Sequence, residues 1–157
     1  FEPKLTAVYE RTSRLAPGTV VPAFSGKDFY KGETFSQQTL KGKVIYLNFW
    51  ASWCGACIKK MDYMSAFVPD LQKSGVEIVN ISIDENKTAW EDALLGTRFA
   101  GYHLLSKNYP EQELALKFGV QAVPQYFIVA PNGIIAEKPY SNQPDEIMKK
   151  LLQVAEK

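Results

Sequence analysis

The chain reads as an α/β sandwich, a mixed β-sheet flanked by helices, and three features point there. Apolar, β-branched runs alternate with helical stripes from Val44 to Phe118. A second strand-and-turn pattern and a last amphipathic helix follow. The 157 residues, 46% hydrophobic and 13% aromatic, supply apolar surface for one core. This order implies strands parallel at the centre of the sheet and antiparallel toward one edge. Gly and Pro are scattered, with no repeat and no linker. Residues 1–17 are expected to be an arm or a segment of a preceding region, and residues 18–157 the folded domain.

Taken in order, the first 16 residues carry weak periodicity, consistent with a short helix or an arm, before Pro17-Gly18 punctuates the chain. Val20 to Thr39 is turn-rich, with Phe24, Phe29, Tyr30 and Phe35 around Lys31-Gly32-Glu33, and predicts a β-hairpin ahead of the main fold. Val44 to Trp50 is apolar on both parities, which marks a central strand buried on both faces. Met61, Met64, Phe67, Val68 and Leu71 then recur at helical spacing, a core-facing stripe closed by Ser74-Gly75 and expected to kink at Pro69. Val76 to Ile83 is a second buried strand. Asn86-Lys87-Thr88 opens a short helix with Trp90, Ala93 and Leu94. Tyr102 to Leu105 is a brief strand, and Glu111 to Phe118 a helix stopped by Gly119. Gln125 to Ala130 forms a strand, Pro131-Asn132-Gly133 a tight turn, and Ile134 to Glu137 the hairpin partner. Pro144 to Glu156 makes the last helix, with Ile147, Leu151, Leu152 and Val154 as its apolar face.

Charge and cysteine content narrow the function. With 18 basic against 17 acidic side chains and no block of like charge, there is no electrostatic footprint for nucleic acid or an anionic membrane surface. The longest apolar stretch, Val44 to Trp53, is too short and too interrupted to cross a bilayer, so the chain as given is expected to be soluble. It begins at Phe1 without a leader, which reads as a processed form or an excised domain whose targeting segment or tether lies out of view. The only cysteines are Cys54 and Cys57. A C-x-x-C pair can be half of a zinc site, a redox dithiol, or chance. Zinc needs about four ligands, and His103 with carboxylates rarely completes such a structural site, so no metal is expected. His103 itself is read as structural or surface.

Redox chemistry has a physical basis at this position. Cys54 falls at the junction of a central strand and the N-terminus of the next helix, where orphan N–H groups and the positive dipole end lower a thiol pKa from about 8.5 toward or below 7. Cys57, one turn further in, is near enough to close a disulfide yet more shielded, which suits a resolving thiol. Gly55 leaves the approach open. Lys59 and Lys60 add positive charge near the helix start and are read first as solvated helix residues.

The segment Phe49-Trp50-Ala51-Ser52-Trp53-Cys54-Gly55-Ala56-Cys57 resembles the active-site segment of thioredoxin-fold proteins, and most closely the TlpA/ResA-like branch of extracytoplasmic thiol-disulfide oxidoreductases, some of which serve cytochrome c maturation. The likeness runs from about Gly18 to the C-terminus. It includes the leading hairpin, Gly42-Lys43-Val44 entering the central strand, the helix and strand inserted between Cys54 and Pro124, and Gly119-Val120-Gln121-Ala122-Val123-Pro124, which looks like the family's cis-proline loop. The resemblance therefore implies a thioredoxin-like three-layer sandwich and a cis bond before Pro124. It also implies that the Val123 backbone pairs with an extended substrate strand, and that an exposed Trp53 shapes the groove. Trp50 is read as core, and Tyr126 and Phe127 as packing residues. Departures are visible too. Ala56 stands where many relatives have Pro, Lys60 where they often carry Glu, Asp62 where a helix-kinking Pro is common, and Asn48 where thioredoxins proper bury an Asp. Lys60 and Asp62 are accordingly candidate modulators, and Asp62, Asp84 or a water are the candidates for handling the Cys57 proton.

The leading expectation is a monomeric protein disulfide oxidoreductase of the periplasm or the outer face of the bacterial inner membrane. It would reduce disulfides of cysteine-containing exported proteins through Cys54 and Cys57, without metal or organic cofactor, and be re-reduced by a membrane-bound thiol reductant. Two alternatives stand beside it: a disulfide oxidant or isomerase, and a redox-switched thioredoxin-fold binding module. Peroxidase chemistry is disfavoured, because it wants a Thr where this chain has Ala51.

Overall fold

In a computed structural model, residues 15–108, 113–136 and 141–156 are described. Of the arm expected at residues 1–17, positions 1–14 lie outside them, and Leu15 is buried in the core of the domain. A short hairpin, β1 (Ser25–Lys27) and β2 (Thr34–Ser36), precedes the central strand β3 (Val44–Trp50). Then come α1 (Gly55–Ser65), α2 (Val68–Lys73), β4 (Val76–Ser82), α3 (Lys87–Thr97) and β5 (Tyr102–Leu105). A four-residue α4 (Leu114–Lys117), β6 (Gln125–Val129) and α5 (Pro144–Ala155) complete the order. The sheet runs β5-β4-β3-β6, with β3 parallel to β4, β4 parallel to β5, and β6 antiparallel to β3.

Alternation along β3 sends its side chains into two cores. Ile45, Leu47 and Phe49 meet Val79, Ile81, Phe127 and Val129 beneath the hairpin, whose Phe24 and Phe35 close that side with Leu114 and Phe118 of the α4 region. Val44 and Tyr46 face Met64, Val68 and Leu71, together with Ile147, Leu151 and Val154 of α5. Trp50, further along the same face, packs with Cys54, Cys57, Met61, Trp90, Leu94 and Phe99. All seven residues of β3 are buried, as a strand covered on both faces requires.

Some local expectations are corrected. Pro69 kinks no continuous helix: the chain breaks at Ala66–Phe67 and α2 begins afresh with Pro69 in its first turn, where a missing N–H costs nothing. Phe67 thereby becomes the residue capping α2. It is exposed and stacks against Tyr63, with ring centroids 5.5 Å apart. Leu152 is exposed too, because Ile147, Leu151 and Val154 define the buried stripe and Leu152 falls beside it. Ile134 to Ala136 forms isolated bridges rather than a full strand. Its groups alternate between two neighbours: the Ala136 N–H donates to the Ile128 carbonyl, whereas the Ile135 N–H donates to the Thr19 carbonyl. Glu137 lies outside the described residues, as does the start of the helix expected from Glu111. The turn before this arm needs Gly133, whose φ of +84° suits a residue without Cβ. His103 is fully buried in β5, with Nε2 2.8 Å from the Phe99 carbonyl oxygen, and burial lowers its pKa.

Candidate active site

After Trp50 the chain leaves the sheet, and Cys54 becomes the residue capping the N-terminus of α1, with extended backbone angles. A helix start leaves donors without intrahelical partners. Here the Cys57 N–H donates to Cys54 Sγ across 3.1 Å. No acidic side chain occupies the first turn of α1, and the positive end of the helix favours a thiolate on the capping sulfur. Cys54 and Cys57 are joined in a disulfide with Cα atoms 5.3 Å apart. Exposure separates the two. Cys54 is 8% exposed and Cys57 0%, so an incoming reagent meets Cys54 first.

The other residues singled out from the sequence fall in different places. Trp53 is 69% exposed beside the disulfide, whereas Trp50 is fully buried beneath it. A Cβ built on Gly55 would meet nothing within 4 Å, which leaves that side of Cys54 open. The Val123–Pro124 bond is cis, and Val123 packs against the cluster that holds both cysteines. Asp62 is exposed, about 140° around α1 from Cys57, and is not brought to the sulfurs. Asn48 donates its side-chain amide to Asn80 Oδ1 at 3.0 Å, inside the sheet.

Asp84 takes a part that the sequence did not reveal. Its buried carboxylate accepts the Ser52 N–H at 2.9 Å, the Ser52 hydroxyl at 2.6 Å and the Ser82 hydroxyl at 2.5 Å. It thus ties the loop carrying Trp53 and Cys54 to the end of β4. Among the described residues, the hydrogen bonds of Asp84 run to this loop and to Ser82 at the end of β4. The spacing of 32 residues between Asp84 and Ser52 hides such a contact from local pattern reading.

Lys60 is the larger correction. Read as a solvated helix residue, it is 5% exposed, with Nζ 5.0 Å from the ring centre of Tyr126 and 5.9 Å from that of Tyr46. Its one hydrogen bond among the described residues, 3.4 Å long, goes to Asn142 Oδ1. The signal was present in the chain: Cys57, Lys60, Met61 and Met64 share one face of α1, and all are buried. Tyr126 does pack as read, and its hydroxyl also donates to the Ser141 carbonyl at 2.5 Å. The other lysine, Lys59, is exposed.

Burial lowers the Lys60 pKa from 10.5 to about 8. The unfolded chain therefore binds more protons than the folded one between pH 8 and 10.5, and stability rises across that window. Below pH 8 the full penalty, up to about 3 kcal/mol, is present. Chemical denaturation of Lys60→Met beside the parent is expected to show the variant more stable at pH 7, with the gap closing toward pH 10.5. Parallel pH curves would contradict the burial of a charged amine.

Alongside these residues runs a groove of about 410 Å³, lined by Ala56, Lys59, Lys60, Tyr63, Asn142 and Asp145 among others. Tyr63 spans it, its hydroxyl donating to Asp145 Oδ1 at 2.9 Å. Among the described residues no group of three or more His, Cys, Asp or Glu side chains is placed to hold a metal ion, and no helix is long and apolar enough to cross a membrane.

Comparison with known proteins agrees with this geometry. The model of the AhpC/TSA family matches residues 17–138. Thiol-disulfide oxidoreductase ResA of Bacillus anthracis is 30% identical over 142 residues, covering 89% of this chain and 79% of that protein. The protein of the same name from Geobacillus thermodenitrificans is 32% identical over 124 residues, covering 79% of this chain and 68% of its own length. Among solved structures, the thioredoxin domain of a thiol-disulfide oxidoreductase from Bacteroides vulgatus superposes with a TM-score of 0.72 at 25% identity, covering 87% of this chain and 98% of that one. A thiol:disulfide interchange protein from Bacteroides sp. gives 0.74 at 25% identity, covering 90% and 91%. The thioredoxin-like sandwich expected from the sequence is the fold observed.

Proposed function

The chain belongs to the AhpC/TSA family and is a thiol-disulfide oxidoreductase, and from that premise we propose that it runs in the reducing direction on disulfides of exported proteins. The observation that carries the mechanism is the asymmetry of the disulfide: one sulfur caps a helix and is reachable, the other is sealed beneath it. In the reduced protein the Cys54 thiolate attacks a substrate disulfide, forming a Cys54–substrate bond as the substrate S–S bond breaks and one substrate thiolate leaves. Cys57, deprotonated, then attacks Cys54 Sγ. The second substrate thiolate departs, both substrate sulfurs take up protons, and the protein is left with its Cys54–Cys57 disulfide. Two electrons pass from dithiol to substrate, so the chemistry needs no metal or organic cofactor.

Around this pair, Val123 is proposed to offer its backbone to an extended substrate segment beside Pro124, with Trp53, Gly55 and Ala56 forming the rest of the contact surface. The resemblance to the TlpA/ResA-like branch supports a location in the periplasm or on the outer face of the inner membrane. It also supports re-reduction by a membrane-bound thiol donor, a place in cytochrome c maturation and a monomeric state.

Equilibration of Cys54–Cys57 in defined thiol/disulfide buffers, read by alkylation and mass, tests the direction. A potential near or below about −270 mV is expected for a reductase. One near about −120 mV would make the protein a disulfide donor, and no reversible titration would favour a binding module.

A further inference from the structure

We propose that Lys60 and Asn142 form a subsite for a carboxylate of the incoming substrate, so that the protein prefers disulfides with an acidic residue beside the target cysteine. The inference rests on the reductase reading above. A buried ammonium ordinarily sits against a carboxylate, because leaving water is costly for a charge without a partner. Among the described residues none pairs with Lys60; it has two aromatic faces and one long contact to an amide oxygen. Three N–H donors on Nζ therefore have one acceptor between them.

Position gives this spare capacity a use. Lys60 follows Cys57 by one helical turn and lines the same groove as Ala56, the residue between the cysteines. Ala56 borders the groove, so a chain held on Cys54 Sγ that runs over Ala56 reaches Lys60. Of the charges lining the groove, Lys59 on the same wall as Lys60 favours an anion, while the Asp145 carboxylate, which accepts from Tyr63, opposes one and leaves the two ammonium groups in excess. From the sheet, β3 and β6 present the neutral rings of Tyr46 and Tyr126, and Glu146 of α5 acts on Tyr126. Burial brings the Lys60 pKa to about 8, so the amine is mostly protonated at neutral pH, and a docked carboxylate would hold the proton more firmly.

The test uses the reduced full chain and pairs of short peptide disulfides that differ only in Glu or Gln, scanned through the positions flanking the cysteine. A charge-assisted contact at a partly buried site predicts about a ten-fold higher kcat/KM for the Glu peptide at the matching position. The Glu-to-Gln ratio should fall to about one in Lys60→Met. It should fall likewise in Asn142→Asp, which supplies an internal carboxylate while keeping Lys60, and which decides the matter alone if the first variant does not fold. A ratio near one in the parent with both peptides turned over, or a ratio that survives both substitutions, overturns the subsite. Reduction of neither peptide would instead sink the reductase reading.

Discussion

Cys54→Ser is expected to lower turnover of a protein or peptide disulfide by about a thousand-fold or more, because a hydroxyl at the helix cap is not ionised at neutral pH and cannot form the mixed disulfide. Cys57→Ser should behave differently. Cys54 stays accessible and keeps the positive end of α1, so the first attack proceeds, but no sulfur is left beneath it to expel the substrate. Substrate then accumulates on Cys54, visible as a reductant-sensitive mass increase. If Cys57→Ser instead turned over normally and trapped nothing, the assigned roles would be wrong. The distinction follows from exposure: exchanging nucleophile and resolving thiol would require the fully buried sulfur to meet the substrate first.

Asp84→Ala should produce the largest loss of stability, about 3–5 kcal/mol, with a fall in activity. The substitution leaves the Ser52 N–H and the Ser52 and Ser82 hydroxyls without their common acceptor, and hydrogen bonds to a charged group contribute about 1.5–3 kcal/mol each. It also frees the segment between β3 and α1 that positions Trp53 and Cys54. Asp84→Asn keeps an oxygen for the Ser52 N–H and should recover part of the loss. Urea denaturation of the three proteins, with hydrogen exchange read at residues 51–54, gives both quantities. Equal stability of Asp84→Ala and the parent would show that the network contributes nothing net.

Both predictions concern the same turn, yet they differ in how openly the chain announces them. Cys54 and Cys57 are three apart and stand after a run that can only be a buried strand, so their place at a helix start is a local matter. Asn86 before α3 and Gly133 in its turn are legible for the same reason, each meeting a backbone demand set by its immediate neighbours. Asp84 is different. A carboxylate after a strand carries no sign that its partners lie 32 residues earlier, because the parallel β3–β4 pairing that brings the two loops together depends on the whole sheet. Pro69 fails in a subtler way: its ring forbids a helix interior but permits a helix start, and only packing against β4 and α5 selects the second.

Spacing and residue type were enough for the alternation of layers, the central strand, the redox pair and the helix terminus that activates it, since all of these follow from backbone geometry and short-range periodicity. Contacts between distant segments had to come from the folded chain: the Asp84 anchor, the split between α1 and α2, the broken edge at Ile134 to Ala136, and the burial of Lys60 between Tyr46 and Tyr126. Lys60 shows the physical reason most plainly. Helical phase can place a lysine on an inner face, but whether its ammonium snorkels to water or stays against aromatic rings depends on what β6 and the segment before α5 put above it, about 66 and 82 residues away.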